Sequence, residues 1–191
     1  PAVMAATGLP IDPLFPAPKL AWLLAKAKAE HPRLAVGDIC AGTVDSWLIY
    51  RLTGGRVHAT DPSNASRTQL YDLSAGAWSA DLCTLFGVPA EILPTVRASS
   101  HVFGETHGVP GIADGTPVAS AIGDSHAALF GHGAFQPGDA KVTFGTGSSV
   151  MVTVPDFCAP QHGVTTTIAW AVDGATTYAF EGNILVSASI L

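Results

Sequence analysis

Asp124 follows an apolar run, Pro117 to Ile122, and a single glycine, and it precedes small apolar residues at helical spacing: Ala127, Ala128, Phe130 and Gly131. The pattern predicts a strand, a tight turn and a helix with a carboxylate at the junction. A carboxylate at the carboxyl end of a strand is held on rigid backbone and faces the crevice where ligands of open α/β sheets lie, so it can serve as a base. Further on, the alternating run Ala140 to Phe144 opens into Gly145-Thr146-Gly147-Ser148-Ser149 and a second apolar strand, Val150 to Val154. The expected hairpin has a tip that lacks a Cβ at two positions and carries a hydroxyl, a surface on which phosphate oxygens can reach backbone N–H groups. If the two units lie side by side in one sheet, one supplies a base and the other a phosphate site. Two plainer roles fit the same residues: Asp124 as the N-cap of its helix, and the glycines as ordinary turn residues.

Other elements must position this pair. Pro18 followed by Leu20, Leu23, Leu24 and Ala27 predicts an amphipathic helix over Lys19 to His31, stopped by Pro32. Val44, Trp47, Leu48 and Leu52 repeat the spacing in a second helix, ended by Gly54-Gly55, with Asp45 in its first turn. The apolar face of such a helix requires a sheet or another helix against it. Arg56 to Ala59 reads as a short strand, and Asp61-Pro62-Ser63-Asn64 as a turn or cap. Ser79 caps a helix over Ala80 to Phe86 that Gly87 and Pro89 terminate, and Pro94 to Ser100 reads as a linker. From His101 onward short strands dominate, and Asp173-Gly174 between two of them is a two-residue hairpin signal. The helical and strand-rich parts divide near Gly111 to Gly115, giving expected units of 1–112 and 113–191.

Composition narrows the classes of function. Of 191 residues 48% are hydrophobic and 13% charged, which supports a folded core and argues against disorder. The formal net charge of -6 comes with no cluster of Lys and Arg, so nucleic acid is not an expected partner. Mean hydropathy is +0.34, yet no apolar run reaches the roughly 18 to 20 residues of a membrane helix. Cys40, Cys83 and Cys158 are odd in number and far apart, which suggests neither a disulfide framework nor a zinc site and fits a reducing, cytoplasmic setting. The chain starts without Met and stops inside an apolar segment, so an internal piece of a longer protein is expected.

The stretch GDSHAALFGHGAFQPGDAKVTFGTGSS resembles the FGGY family of carbohydrate kinases, and within it the glycerol kinases, where a G-D-x-x-A-A-L-F-G run precedes P-G-x-A-K and a Y/F-G-T-G loop. The likeness continues in TGLPIDP at Gly8 to Pro13, in PKLAW with Lys19 and Trp22, and in GTVDSWLIYRLTGG at Gly42 to Gly55. It also takes in TDPSNASRT at Thr60 to Thr68 and YAFEG at Tyr178 to Gly182. Several long matches in one order are specific where each alone is weak.

The resemblance implies an α/β, ribonuclease H-like fold of the actin/hexokinase ATPase type, with this chain holding the end of the first domain and the start of the second. It implies ATP with Mg²⁺ as cofactors, a small sugar or polyol as partner, and no metal held by the protein itself. Asp124 matches the family's general base. Gly145, Thr146 and Gly147 match the loop that approaches the phosphates, and Asn64, Ser66 and Arg67 match a run near the substrate cleft, although local hydrogen bonding explains those three as well. Leu14 and Ser125 fall at substrate-contacting positions that carry Tyr and Gln in glycerol kinases, and Ser149 replaces a Phe. These smaller or less polar groups point to a polyol or ketose larger than glycerol, such as xylulose. Ser187 falls at a nucleotide-contacting position and, with Leu191, replaces a Gly and a Gln. The chain by itself is expected to be inactive, and a homo-oligomer is compatible with it.

Two other classes of function draw on the same residues. A metal-dependent hydrolase would draw on Asp124, His126, His132 and Asp139, which lack metal-ligand spacing. A non-catalytic member that senses sugar or nucleotide is the alternative function. His58, His101, His107 and His162 lack a spaced carboxylate and read as structural. The four tryptophans read as core or domain contacts without interleaved basic residues.

Overall fold

The computed structural model describes residues 2–145, 147–160 and 163–184, and its first helix, α1 (Ala2–Thr7), ends where the chain turns at Gly8. Gly8 has φ +68, and a Cβ there would come within 2.5 Å of the Thr166 carbonyl oxygen. Only glycine allows both the left-handed turn and this close approach. Helix α2 (Pro16–Glu30) starts three residues before the expected Lys19, because Pro16 and Pro18 both fit a first turn. It buries Ala17 and Leu24 beside Val3, Leu82 and Val88.

Helix α3 (Val44–Leu52) runs as expected, with left-handed Gly54 and Gly55 beyond its end. Its inward residues are Ser46 and Ile49, the latter packed with Ala59 and Phe103. The stripe read as its packing face is open instead: Val44, Trp47 and Leu48 are 75%, 57% and 53% exposed. Strand β1 (Ala59–Thr60) is shorter than the predicted Arg56 to Ala59 and begins near its end. It leads into α4 (Pro62–Ala65), the ribbon of β2 (Tyr71–Asp72) and β3 (Ala77–Trp78), and α5 (Ala80–Phe86), capped by the Ser79 hydroxyl and closed by Gly87. The predicted linker holds β4 (Thr95–Val96), which pairs with β1 in parallel.

Strand β5 (Ser100–Glu105) pairs antiparallel with β6 (Pro117–Ser120), which leads to α6 (Asp124–Gly131). The remaining strands, β7 (Ala140–Thr143), β8 (Ser148–Val154), β9 (Thr165–Val172) and β10 (Ala175–Ile184), form an antiparallel sheet in the order β7-β8-β10-β9. Asp173 and Gly174 turn β9 into β10 with φ values of +52 and +78, as a type I′ turn requires. The Asp124 unit and the Gly145–Gly147 unit therefore do not share one sheet. Among the described residues strand β6 pairs only with its sequence neighbour β5, and α6 bridges the gap by packing Leu129 onto Met151, Ala169 and Ala179 of the four-stranded sheet. Among the described residues, no helix is long and apolar enough to cross a membrane.

Candidate functional site

Gly123, with φ -61 and ψ 146, is the N-cap of α6, and Asp124 is the first residue of its first turn. The plainer reading of Asp124 as the cap is thereby corrected: the extended backbone that a cap needs falls one residue earlier. The Asp124 side chain is exposed, and its Oδ1 accepts the Ser125 N–H at 2.7 Å. Ser125 is half-buried.

Behind this carboxylate lies a buried polar network. Asp61, fully buried, caps α4 by accepting the N–H groups of Ser63 and Asn64 at 3.2 and 3.0 Å. It also accepts the Asn64 side-chain amide at 2.8 Å, the Ser63 hydroxyl at 2.9 Å and the Ser99 hydroxyl at 2.6 Å. Each hydroxyl, having donated to Asp61, turns a lone pair to a backbone N–H: Ser63 Oγ accepts from Gly123 at 2.8 Å and Ser99 Oγ from Ala171 at 3.0 Å. Ser66 Oγ meets the Thr167 hydroxyl at 2.9 Å, and His126 Nε2 meets the same hydroxyl at 3.1 Å. A buried network of this kind is stable because its members are hydrogen-bonded.

The His126 ring fills the space beside Gly123, where a Cβ would lie 2.7 Å from Nδ1. Burial pushes its pKa down to about 3, with Arg67 adding to the effect, Asp124 opposing it and Lys141 adding again. Arg67 Nη2 pairs with Glu181 Oε2 at 2.6 Å, and the guanidinium lies 5.4 Å from the Phe15 ring centre. Arg67 and Asp124 thus both act on His126 through charge, and Phe15, over whose ring Arg67 lies, follows Leu14 in the chain. Leu14 itself is 66% exposed, and its carbonyl accepts Lys19 Nζ at 2.7 Å.

Several expectations change with these contacts. Asn64 is a local hydrogen-bonder, whereas Ser66 and Arg67 reach β9 and β10 across more than a hundred residues. His107 does have a carboxylate partner, Asp114, at 3.1 Å, because the loop between β5 and β6 folds back on itself. Trp22 and Trp47 are exposed, and each carries a cation one helical turn on, Lys26 and Arg51, both at 5.5 Å. Cys40 and Cys158 are exposed and Cys83 is buried. His126 is buried, and His132 is exposed with Nδ1 on the Ala128 carbonyl, so the two do not converge.

The Gly145–Gly147 turn lies between β7 and β8. A Cβ at Gly145 would come within 3.2 Å of the Gly147 carbonyl oxygen, so a side chain at position 145 would crowd that carbonyl. Ser149, in β8, pairs with Thr143 on one side and Asn183 on the other. Thr146, His162, Ser187 and Leu191 lie outside the described residues. Among the described residues, no group of three or more His, Cys, Asp or Glu side chains could hold a metal ion. A cavity of about 400 Å³ under α3, lined by Cys40, Thr43, Trp47 and His58 among others, and one of about 290 Å³ lined by Ser99, Ile122, Phe130 and Trp170 among others, do not include Asp124.

The Asp61 network was missed in the sequence. Asp61 and Ser63 were visible as turn formers, but no local pattern joins them to Gly123, 60 residues from Ser63. Arg67 and Glu181 fall in separate motifs, and no local pattern pairs them.

A family model described as the N-terminal domain of the FGGY family of carbohydrate kinases matches residues 1–131. Among curated proteins, the chain is 44% identical over 190 residues to a glycerol kinase of Myxococcus xanthus, covering 98% of this chain and 38% of the relative. It is 49% identical over 180 residues to an apulose kinase of Pectobacterium atrosepticum, covering 93% and 36%. Among solved structures, the glycerol kinase of Plasmodium falciparum with ADP superposes with a TM-score of 0.87 at 29% identity, covering 98% of this chain and 38% of that one. The chain spans a little over a third of the length of these relatives.

Proposed function

Because this chain belongs to the FGGY family of carbohydrate kinases and carries part of their ribonuclease H-like, actin/hexokinase-type ATPase fold, we propose that the whole protein phosphorylates a hydroxyl of a sugar or polyol at the expense of ATP, with Asp124 as general base. One observation carries the base assignment: Asp124 holds an exposed carboxylate on the first turn of α6, while the glycine before it is tied by its N–H to a buried network. A rigid support and an open carboxylate are what proton removal from an attacking hydroxyl needs.

ATP, with Mg²⁺, supplies the phosphoryl group. Gly145, Thr146 and Gly147 would approach its phosphates through backbone and hydroxyl, and Ser187 would lie further along the nucleotide. Two glycines in the turn between β7 and β8 support this reading, since neither position carries a Cβ to keep phosphate oxygens from the backbone. No described residue is assigned to the metal. On this reading the chain joins the later part of one lobe to the opening of the next, divided near residue 112 in the connection between β5 and β6, which pair with each other.

The acceptor is proposed to be a polyol or ketose larger than glycerol. Leu14 is open to solvent and offers no side-chain hydrogen bond, and Ser125 and Ser149 are short. A pocket without groups that pair with a particular hydroxyl cannot select for it strongly. The relative named an apulose kinase, at 49% identity, is consistent with that direction.

The test is ADP release by the full-length protein over a panel of polyols and ketoses, with Asp124→Asn in parallel. Turnover of the variant should fall by roughly 10² to 10⁴ with sugar binding retained. Near-normal turnover removes Asp124 from the role, and a clear preference for glycerol overturns the substrate reading. Sugar binding without turnover on any acceptor would instead mark a sensing member of the fold.

A further inference from the structure

We propose that Asp61 and Ser63 are positioning residues that set the place of the Asp124 carboxylate, acting through the N–H of Gly123. The proposal rests on Asp124 being the base. Its own ground is the geometry behind that residue, in segments of the chain that meet only in the folded protein.

Asp61 is completely buried, and five donors converge on its two oxygens: the N–H and hydroxyl of Ser63, the N–H and side-chain amide of Asn64, and the hydroxyl of Ser99. A cap of a four-residue helix needs only the first and third of these. The remaining bonds orient two hydroxyls so that their hydrogens point at Asp61 and their lone pairs point away. Ser63 then accepts from Gly123 at 2.8 Å and Ser99 from Ala171 at 3.0 Å, while the Ser99 carbonyl accepts the Ala121 N–H at 3.0 Å. Ala121 and Gly123 are thus both fastened to groups that touch Asp61. They flank Ile122, and Gly123 is the extended residue directly before Asp124.

No side chain caps α6, and among the described residues the Gly123 N–H is held by the Ser63 hydroxyl. His126 closes the arrangement from the far side. Its ring stands against Gly123 and bonds to Thr167, so the peptide preceding Asp124 is held between Ser63 and an imidazole. A displacement of about 1 Å in a reacting group can cost on the order of a hundredfold in rate. Loosening this peptide therefore acts on turnover more than on binding.

The experiment is a double-mutant cycle in the full-length protein between Ser63→Ala and Asp124→Asn, reading kcat and KM for sugar and for ATP. Ser63→Ala should lower kcat by roughly ten- to a hundredfold with either KM moved by less than about threefold. In the Asp124→Asn background the same change should have almost no further effect, because a positioning residue has nothing left to position. A fall in kcat of equal size in both backgrounds means a general structural role and overturns the proposal. So does wild-type kcat in Ser63→Ala. If Ser63→Ala does not fold, Ser63→Cys takes its place in the cycle: a thiol is the weaker acceptor and loosens the Gly123 N–H while still filling the space of the hydroxyl. The single Asp124→Asn variant reports separately on the base itself. Full activity there ends the kinase-base reading, whereas loss of activity there with additive or absent effects of Ser63→Ala ends only the positioning proposal.

Discussion

His126 shows what burial does to a group that would otherwise titrate near neutrality. With its pKa pushed down to about 3 against an unfolded value near 6.5, the unfolded chain binds the extra proton throughout the interval between them. Stability from this residue is therefore complete above pH 6.5 and is lost as pH falls toward 3. His126→Gln, which can still meet Thr167, should remove about 2 kcal/mol of acid destabilisation between pH 6.5 and 5, measured as urea unfolding at each pH. An unchanged pH slope would assign the acid response to other groups. At this scale the sequence was legible where local structure follows from neighbours in the chain, as for the strand, turn and helix that carry Asp124. It was opaque for His126, whose surroundings come from Arg67, Lys141 and Thr167, none of them near it in sequence.

Between elements, Arg67 ties the segment after α4 to β10 through Glu181. Burial works against the guanidinium's charge, and Glu181 restores it. Removing one partner leaves the other charge with little solvent, a loss of about 3 kcal/mol. Arg67→Met should accordingly lower the thermal midpoint, and Arg67→Met combined with Glu181→Gln should recover part of the loss; a double variant no better than the single would rule out charge pairing as the source. Elements built from adjacent residues were readable in advance: the β7–β8 hairpin, the Asp173-Gly174 turn and the Ser79 cap all depend on a few neighbours. The face that α3 turns inward was not. Periodicity groups Val44, Trp47 and Leu48 on one side, but it does not say what meets them, and here Ser46 and Ile49 are the buried residues, Ile49 against Ala59 and Phe103. The same limit explains the expected common sheet, since two units can touch through a helix as readily as through strand pairing.

Over the whole molecule the fold class came from several motifs in a fixed order, whereas the polar seam joining them could be found only in three dimensions. That seam runs along β9. Thr166 donates to Gly8, Ser66 meets Thr167 from 101 residues away, and Ser99 reaches Ala171 from 72. Each bond closes a long loop whose entropy must be spent before any contact repays it, and topologies of this kind form slowly. A nascent chain would hold Gly8, Ser66 and Ser99 without their common partner until β9 had left the ribosome. In pulse-labelled refolding, the amides of Thr166, Ile168 and Ala171 should gain protection together and after those of α2; protection of all three before α2 would mean that β9 nucleates folding instead of completing it.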